Sequence, residues 1–287
     1  MINSNNASKQ ASKQASKQAS KHIFLLVSAL AISLIILVGG YFSYKVARKV
    51  YRTYKTFTTR CDSLQQQIYM LGTKLEWYTD YYKYDAVKYE DGAFNYLAIG
   101  NSLTLIDSEN RGICASHEDR DYYSLVVKEL NNRHNKVYPY RHNFAIWEQG
   151  GNPHECLQFF DYALSDKLNL ITIQLSENIK NIDTFEKDLI ELIEYIKEKA
   201  PNAELIIVGD FWSKDKSDIK ERVANHENVK FASLKDIIGN KKYQAPVGYE
   251  CFHPDGTSHK FTSTDGAGHP NDEGFRFIAD KIIEELD

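Results

Sequence analysis

A serine, a histidine and an amide side chain, each at a break in an apolar pattern, are the residues of this chain best placed to do chemistry. Ser102 closes the run Tyr96-Leu97-Ala98-Ile99-Gly100-Asn101-Ser102, where a short apolar stretch stops abruptly. A serine hydroxyl is inert near neutral pH unless a base takes its proton, and attack on a carbonyl needs donors for the oxyanion that forms. His269 supplies the base, in the loop Asp265-Gly266-Ala267-Gly268-His269-Pro270-Asn271. Asn178 follows the apolar run Leu170 to Leu175, and Gly150 stands in Gln149-Gly150-Gly151-Asn152. Nucleophile, base, glycine N–H and amide are the parts of acyl transfer, and Asp265 is available to orient the imidazole. Taken alone, Gly-Asn-Ser reads equally well as a turn that caps the next helix; the other three blocks tip the balance towards the nucleophile.

The elements needed to bring these residues together can be read from periodicity. Phe94 to Ile99 has the mostly apolar character of a strand buried on both faces. Asp119 to Asn132 has helical spacing, and a second strand falls within 136–147, centred on Asn143 to Trp147. Asn152-Pro153 reads as a helix start running through Phe160. Leu170 to Leu175 is a third strand, Asp183-Thr184-Phe185-Glu186 opens a helix, and Glu204 to Val208 is a fourth strand. Ser217 to Ala224 is a helix, Val229 to Leu234 a fifth strand, and the last helix begins near Asn271. Such alternation predicts a three-layer α/β/α domain with a central parallel sheet of about five strands, flavodoxin-like, over residues 91–287. Open α/β sheets put their chemistry past the carboxyl ends of strands, where Ser102, Gly150 and Asn178 fall.

The first third of the chain differs. Residues 1–22 form a Lys-rich tail with three Ala-Ser-Lys-Gln repeats and no apolar face, the composition of a disordered segment. Residues 23–44 are almost wholly apolar and are followed by Lys45 rather than a small-residue cleavage site, so they read as an uncleaved membrane anchor. Positive charge is nearly balanced on the two flanks and does not orient it. Over 45–90, the residues Val50, Tyr54, Phe57, Cys61, Leu64, Ile68, Leu71, Leu75 and Tyr78 keep an a/d spacing. Residues 50–78 are thus either a self-associating stalk or a helix packed on its own domain. A net charge of −4 carries no basic patch for nucleic acid, and four cysteines without CxxC spacing argue against zinc. His253, His259 and His269 lack a ligand register, so no metal and no organic cofactor is expected.

The ordered set Gly100-Asn101-Ser102-Leu103, Gly150, Asn178 and His269-Pro270-Asn271 resembles the SGNH hydrolases, or GDSL-type esterases, across residues 94–287. The resemblance implies that Ser102 is the nucleophile and His269 the base. It also implies an oxyanion hole made of the Ser102 N–H, the Gly150 N–H and the Asn178 side chain. Two departures accompany it. The family places its aspartate three residues before the histidine, where Gly266 stands, so Asp265 either serves through a bulge or leaves a Ser–His dyad. The family's Gly-x-Asn-Asp block here reads Ser176-Glu177-Asn178-Ile179. By resemblance the substrate is an ester, and the expected reaction is O-deacylation of cell-surface carbohydrate outside the cytoplasmic membrane. Acyl transfer to polysaccharide or peptidoglycan uses the same residues, and a non-catalytic glycan-binding scaffold is the reading from another class.

Overall fold

A computed structural model describes residues 21, 28, 30, 32–34, 36–61, 64, 85–106, 108–150, 152–262 and 266–287. The chain divides into two compact units, Met1–Leu71 and Gly72–Asp287. In the first, residues 36–61 are helical and, but for the half-buried Thr58, exposed, with Leu37 at 70% and Phe42 at 69%. Among the described residues no helix is long and apolar enough to cross a membrane, so they do not supply the spanning helix expected over 23–44. The heptad seam is only partly described. Val50, Tyr54, Phe57 and Leu64 are exposed, Cys61 is an exposed free thiol, and Ile68, Leu71, Leu75 and Tyr78 lie outside the described residues.

The second unit is built on five parallel strands: β1 (Phe94–Gly100), β2 (Val137–Asn143), β3 (Leu170–Gln174), β4 (Glu204–Val208) and β5 (Lys230–Ala232). Their order is β2-β1-β3-β4-β5, and Gly100 pairs with both Asn143 and Gln174 at the carboxyl edge. The chain reverses its direction of travel across the sheet between β1 and β3, the topological switch point at which sheets of this order bind ligands. The helices are α1 (Tyr122–Arg133), α2 (Ala145–Gln149), α3 (Ile182–Lys199), α4 (Lys214–Glu227) and α5 (Asp272–Glu284). On one face Leu97, Ile99, Ile171, Ile173 and Ile207 pack with Phe185, Leu189 and Val223 of α3 and α4. On the other, Tyr96, Ala98, Ile206 and Val208 pack with Tyr122 and Val126 of α1 and Phe275 and Ile278 of α5. Central strands covered on both faces explain their unbroken apolar runs. An antiparallel hairpin, β6 (Glu250–Phe252) and β7 (Ser258–Lys260), stands apart from the sheet.

Two expectations shift. The second strand is Val137–Asn143, and the run expected to form it is instead helix α2. A short apolar run does not distinguish strand from buried helix by periodicity. Here the Asn143 side chain decides, accepting the Ala145 N–H at 3.0 Å and turning the chain out of the sheet. Ile146 and Trp147 still reach the core, from a helix. Likewise the segment after Asn152-Pro153 is a 3-10 helix, His154–Phe160, preceded by Pro153 with no side-chain cap. Elsewhere capping follows side-chain chemistry: Asp121, Asn181, Ser213 and Asn271 each accept a first-turn N–H of α1, α3, α4 and α5. Asn181 thus starts α3 two residues before the expected Asp183.

Candidate active site

Ser102 lies two residues past β1, half-buried, in a turn closed by the Thr104 and Leu105 N–H groups donating to the Asn101 carbonyl at 2.9 and 3.0 Å. Gly100 makes this turn possible, because a Cβ there would stand 1.7 Å from Thr104 Oγ1. Asn101 is fully buried. Its Oδ1 accepts the Leu103 N–H at 3.1 Å, while its Nδ2 donates to Glu148 Oε1 at 3.1 Å and to Glu177 Oε2 at 2.8 Å. Among the described residues the Ser102 N–H has no acceptor, as an oxyanion donor requires.

Glu148, which sequence reasoning missed, organises the floor of this edge. Its Oε1 accepts from the Ser176 N–H at 2.5 Å and the Asn178 N–H at 3.4 Å, and its Oε2 accepts from Asn178 Nδ2 at 2.7 Å. One buried carboxylate thereby holds the ends of β1 and β3 and fixes the amide of Asn178, whose second N–H hydrogen stays available. Burial pushes the Glu148 carboxyl up from its ordinary range, while the hydrogen bonds from Asn178, Ser176 and Asn101 pull it back. The available signal was a carboxylate directly after the apolar run Phe144-Ala145-Ile146-Trp147.

Ser176 stands where the SGNH pattern has glycine, and the backbone shows why glycine suits the position. Its φ is 150°, a conformation L-residues rarely adopt. Four hydrogen bonds hold the serine there: its N–H to Glu148, its hydroxyl to Asp210 Oδ2 at 2.7 Å, and its carbonyl accepting from Lys216 Nζ at 2.8 Å and the Ile179 N–H at 2.9 Å. Asp210, just past β4, also accepts the N–H groups of Trp212 and Ser213 at 2.9 and 2.6 Å. Its place in the sequence, two residues past an apolar strand, is the same as that of Ser102 past β1. Glu177 is pushed up to about 7, by burial first and then by the charge of Asp210, with Lys220 opposing. Lys220 is itself wholly buried, and burial lowers its amine from the ordinary lysine range.

His269 reaches the same edge from the loop before α5. Its Nδ1 lies 2.9 Å from the Gly266 carbonyl. A carbonyl only accepts, so Nδ1 carries the proton and Nε2 keeps its lone pair, the tautomer a general base needs. Burial lowers the imidazole below its ordinary value, and the Gly266 bond partly restores it. The Trp212 ring packs edge-on against His269, centroids 5.0 Å apart, with its Nε1 donating to the Gly268 carbonyl at 2.9 Å. Trp147, by contrast, is buried in the core. Both halves of the site meet one loop: the Ile113 N–H donates to the Ser102 carbonyl at 2.8 Å, and the Cys114 thiol donates to the Gly266 carbonyl at 3.1 Å.

Two expected participants stand differently. The Gly150 N–H donates to the Ile146 carbonyl at 2.7 Å as the C-cap of α2, so in this structure it closes a helix instead of facing a ligand. A Cβ there would come within 2.6 Å of that carbonyl, so the glycine serves close packing. Asp265 and Gly151 lie outside the described residues. His253 and His259 pair with each other at 2.9 Å, and their carboxylate neighbour is Glu109; His269 does not join them.

No family model matches the chain, and no curated protein does. Solved structures offer likenesses at low identity. Phospholipase A1 from Streptomyces albidoflavus NA297 is 12% identical with a TM-score of 0.45, covering 67% of this chain and 99% of that one. A two-domain esterase active on acetylated mannans is 16% identical with a TM-score of 0.45, covering 68% of this chain and 49% of that one. The salicylyl-acyltransferase SsfX3 from a tetracycline biosynthetic pathway is 15% identical with a TM-score of 0.43, covering 69% of this chain and 56% of that one. This chain therefore spans about half the length of the second and third. All three are what the chain is similar to.

Proposed function

We propose that this chain is a serine esterase of SGNH type that deacylates an ester-bearing carbohydrate through an acyl-serine. The observation that carries the reading is the tautomer of His269, fixed by the Gly266 carbonyl, which the Cys114 thiol ties to the segment whose Ile113 N–H binds the Ser102 carbonyl. Ser102 Oγ attacks the ester carbonyl while His269 Nε2 takes its proton. The Ser102 N–H and the Asn178 amide stabilise the oxyanion, and Glu148 keeps both strand ends in register. His269 then returns the proton to the leaving alcohol. Water, deprotonated by the same imidazole, attacks the acyl-serine and regenerates the enzyme. A sugar hydroxyl in place of that water makes the same residues an O-acyltransferase.

Carbohydrate as substrate follows from the resemblance. Placement outside a membrane rests on the apolar run at 23–44, and the exposed apolar side chains Leu30, Ile32, Leu34, Ile36 and Leu37 support a segment that meets lipid. A fluorophosphonate probe on the full chain should label wild type and leave Ser102→Ala unlabelled. Absence of labelling, together with no ester turnover from about pH 6 to about pH 9, would sink the enzyme reading. Incubation with acetyl donor and excess oligosaccharide separates hydrolysis from transfer by where the acetyl group ends.

A further inference from the structure

The β6–β7 hairpin carries a cluster that the ester chemistry does not use. His253 follows β6 and His259 lies in β7, and the hairpin continues past its named strands through the His253 N–H to the Thr257 carbonyl at 2.8 Å. Antiparallel pairing therefore sets the two imidazoles side by side, ring centroids 5.1 Å apart, with His253 Nε2 facing His259 Nδ1 at 2.9 Å. Nitrogens that face each other this closely share either a proton or a cation, since two lone pairs repel. Glu109, from the segment after β1, brings Oε1 to 3.5 Å from His259 Nε2. One donor atom from each of the three residues falls within 4.8 Å of the others, and all three are half-buried.

We propose that Glu109, His253 and His259 form a binding site for a divalent transition metal of the zinc class. Two imidazoles and one carboxylate, with a fourth position left for water, are a donor set that suits zinc. A tetrahedral ion with bonds of about 2.0–2.1 Å places its ligands about 3.3 Å apart, so the histidine pair opens by a few tenths of an ångström to admit it. The carboxylate is already anchored, and an ion held by His259 Nδ1 draws its free oxygen round from His259 Nε2. Arg111, fully buried, donates from Nε at 3.0 Å and from its terminal nitrogen at 2.8 Å to Glu109 Oε2, which leaves Oε1 turned toward the histidines. The guanidinium also binds the Phe252 carbonyl at 2.5 Å, so one buried cation ties the carboxylate to the hairpin. Its charge beside the site moderates affinity.

Such an ion would clip the hairpin onto the segment after β1. The consequence reaches the base, because Phe261, just past β7, lies so close to Gly266 that a Cβ on that glycine would meet its ring at 1.9 Å. Gly266 in turn accepts from His269. The metal thus acts on positioning, and its binding is read without any assumption about ester hydrolysis.

The full chain, made without a polyhistidine tag and stripped with chelator, is titrated with Zn²⁺ by calorimetry and with Co²⁺ by absorption. The expected result is about one ion per chain, with a higher Tm and a Co²⁺ spectrum of nitrogen and oxygen ligation. His253→Ala and His259→Ala should each weaken binding at least about 100-fold, and Glu109→Gln about 10-fold. Circular dichroism of the metal-free variants, and the conservative His253→Asn and His259→Asn forms, keep a folding defect distinct from a lost ligand. No uptake by wild type, equal affinity in the histidine variants, or a thiolate-to-cobalt band that transfers the site to cysteine would each overturn the proposal.

Discussion

His269 shows how much hangs on a single acceptor. A triad aspartate fixes the base and stabilises the imidazolium that forms; the Gly266 carbonyl fixes the same tautomer with a dipole in place of a charge. If the carbonyl is the working partner, Asp265→Asn should cost less than about 10-fold in kcat, whereas His269→Ala should cost about 1,000-fold or more. Equal losses would restore a triad. The pH profile gives a second check. A base held below its ordinary value by burial stays deprotonated to lower pH, so the acid limb of kcat/KM should bend below about 6.5. Glu177 titrates in the opposite sense. Its folded value is raised to about 7, so its stabilising contribution is full below the unfolded value of 4.5 and is lost as pH rises through about 7. Glu177→Gln should therefore gain Tm relative to wild type as pH is taken from about 5 to about 8, and a constant difference would refute this.

Between strands, Glu148 does what no main-chain pairing can. Parallel strands end in unpaired N–H groups, and here one carboxylate collects those of Ser176 and Asn178 together with two side-chain amides. Replacing one oxygen by NH₂ turns acceptors into donors against fixed donors, each mismatch costing about 1–3 kcal/mol. Glu148→Gln should lower the urea midpoint and cut kcat about 100-fold with a smaller change in KM, as expected when oxyanion donors lose their geometry. A similar packing argument governs the loop of the base. Gly266→Ala should lower both Tm and kcat, because its Cβ would overlap the Phe261 ring, and Phe261→Ala in the same chain should recover part of the loss. Measurement of the double variant checks it.

For the whole molecule, every sheet strand among the described residues begins at Phe94 or later, so a fragment of residues 85–287 should fold with a Tm within about 5 °C of the full chain, as checked by calorimetry. The five-strand parallel sheet, the strands at 94–100, 170–174 and 204–208 and the placement of Ser102 and Asn178 past strand ends were legible in the residues alone. The apolar runs of these three strands are local properties, and they survive folding unchanged. Strand β2 and helix α2 were not legible, since Asn143 and the Gly100 carbonyl that receives the Phe144 N–H decide between them across the sheet. Nor could any spacing show that Glu148 and Asp210 would converge beneath the site, or that the Gly150 N–H would be spent inside a helix. Nor could it pair Glu109, 144 residues before His253, with the hairpin histidines. Sequence by itself determined which residue types stand at which strand ends. Tertiary structure alone decided which polar groups face one another, because burial and hydrogen-bond partners are set by segments far apart in the chain.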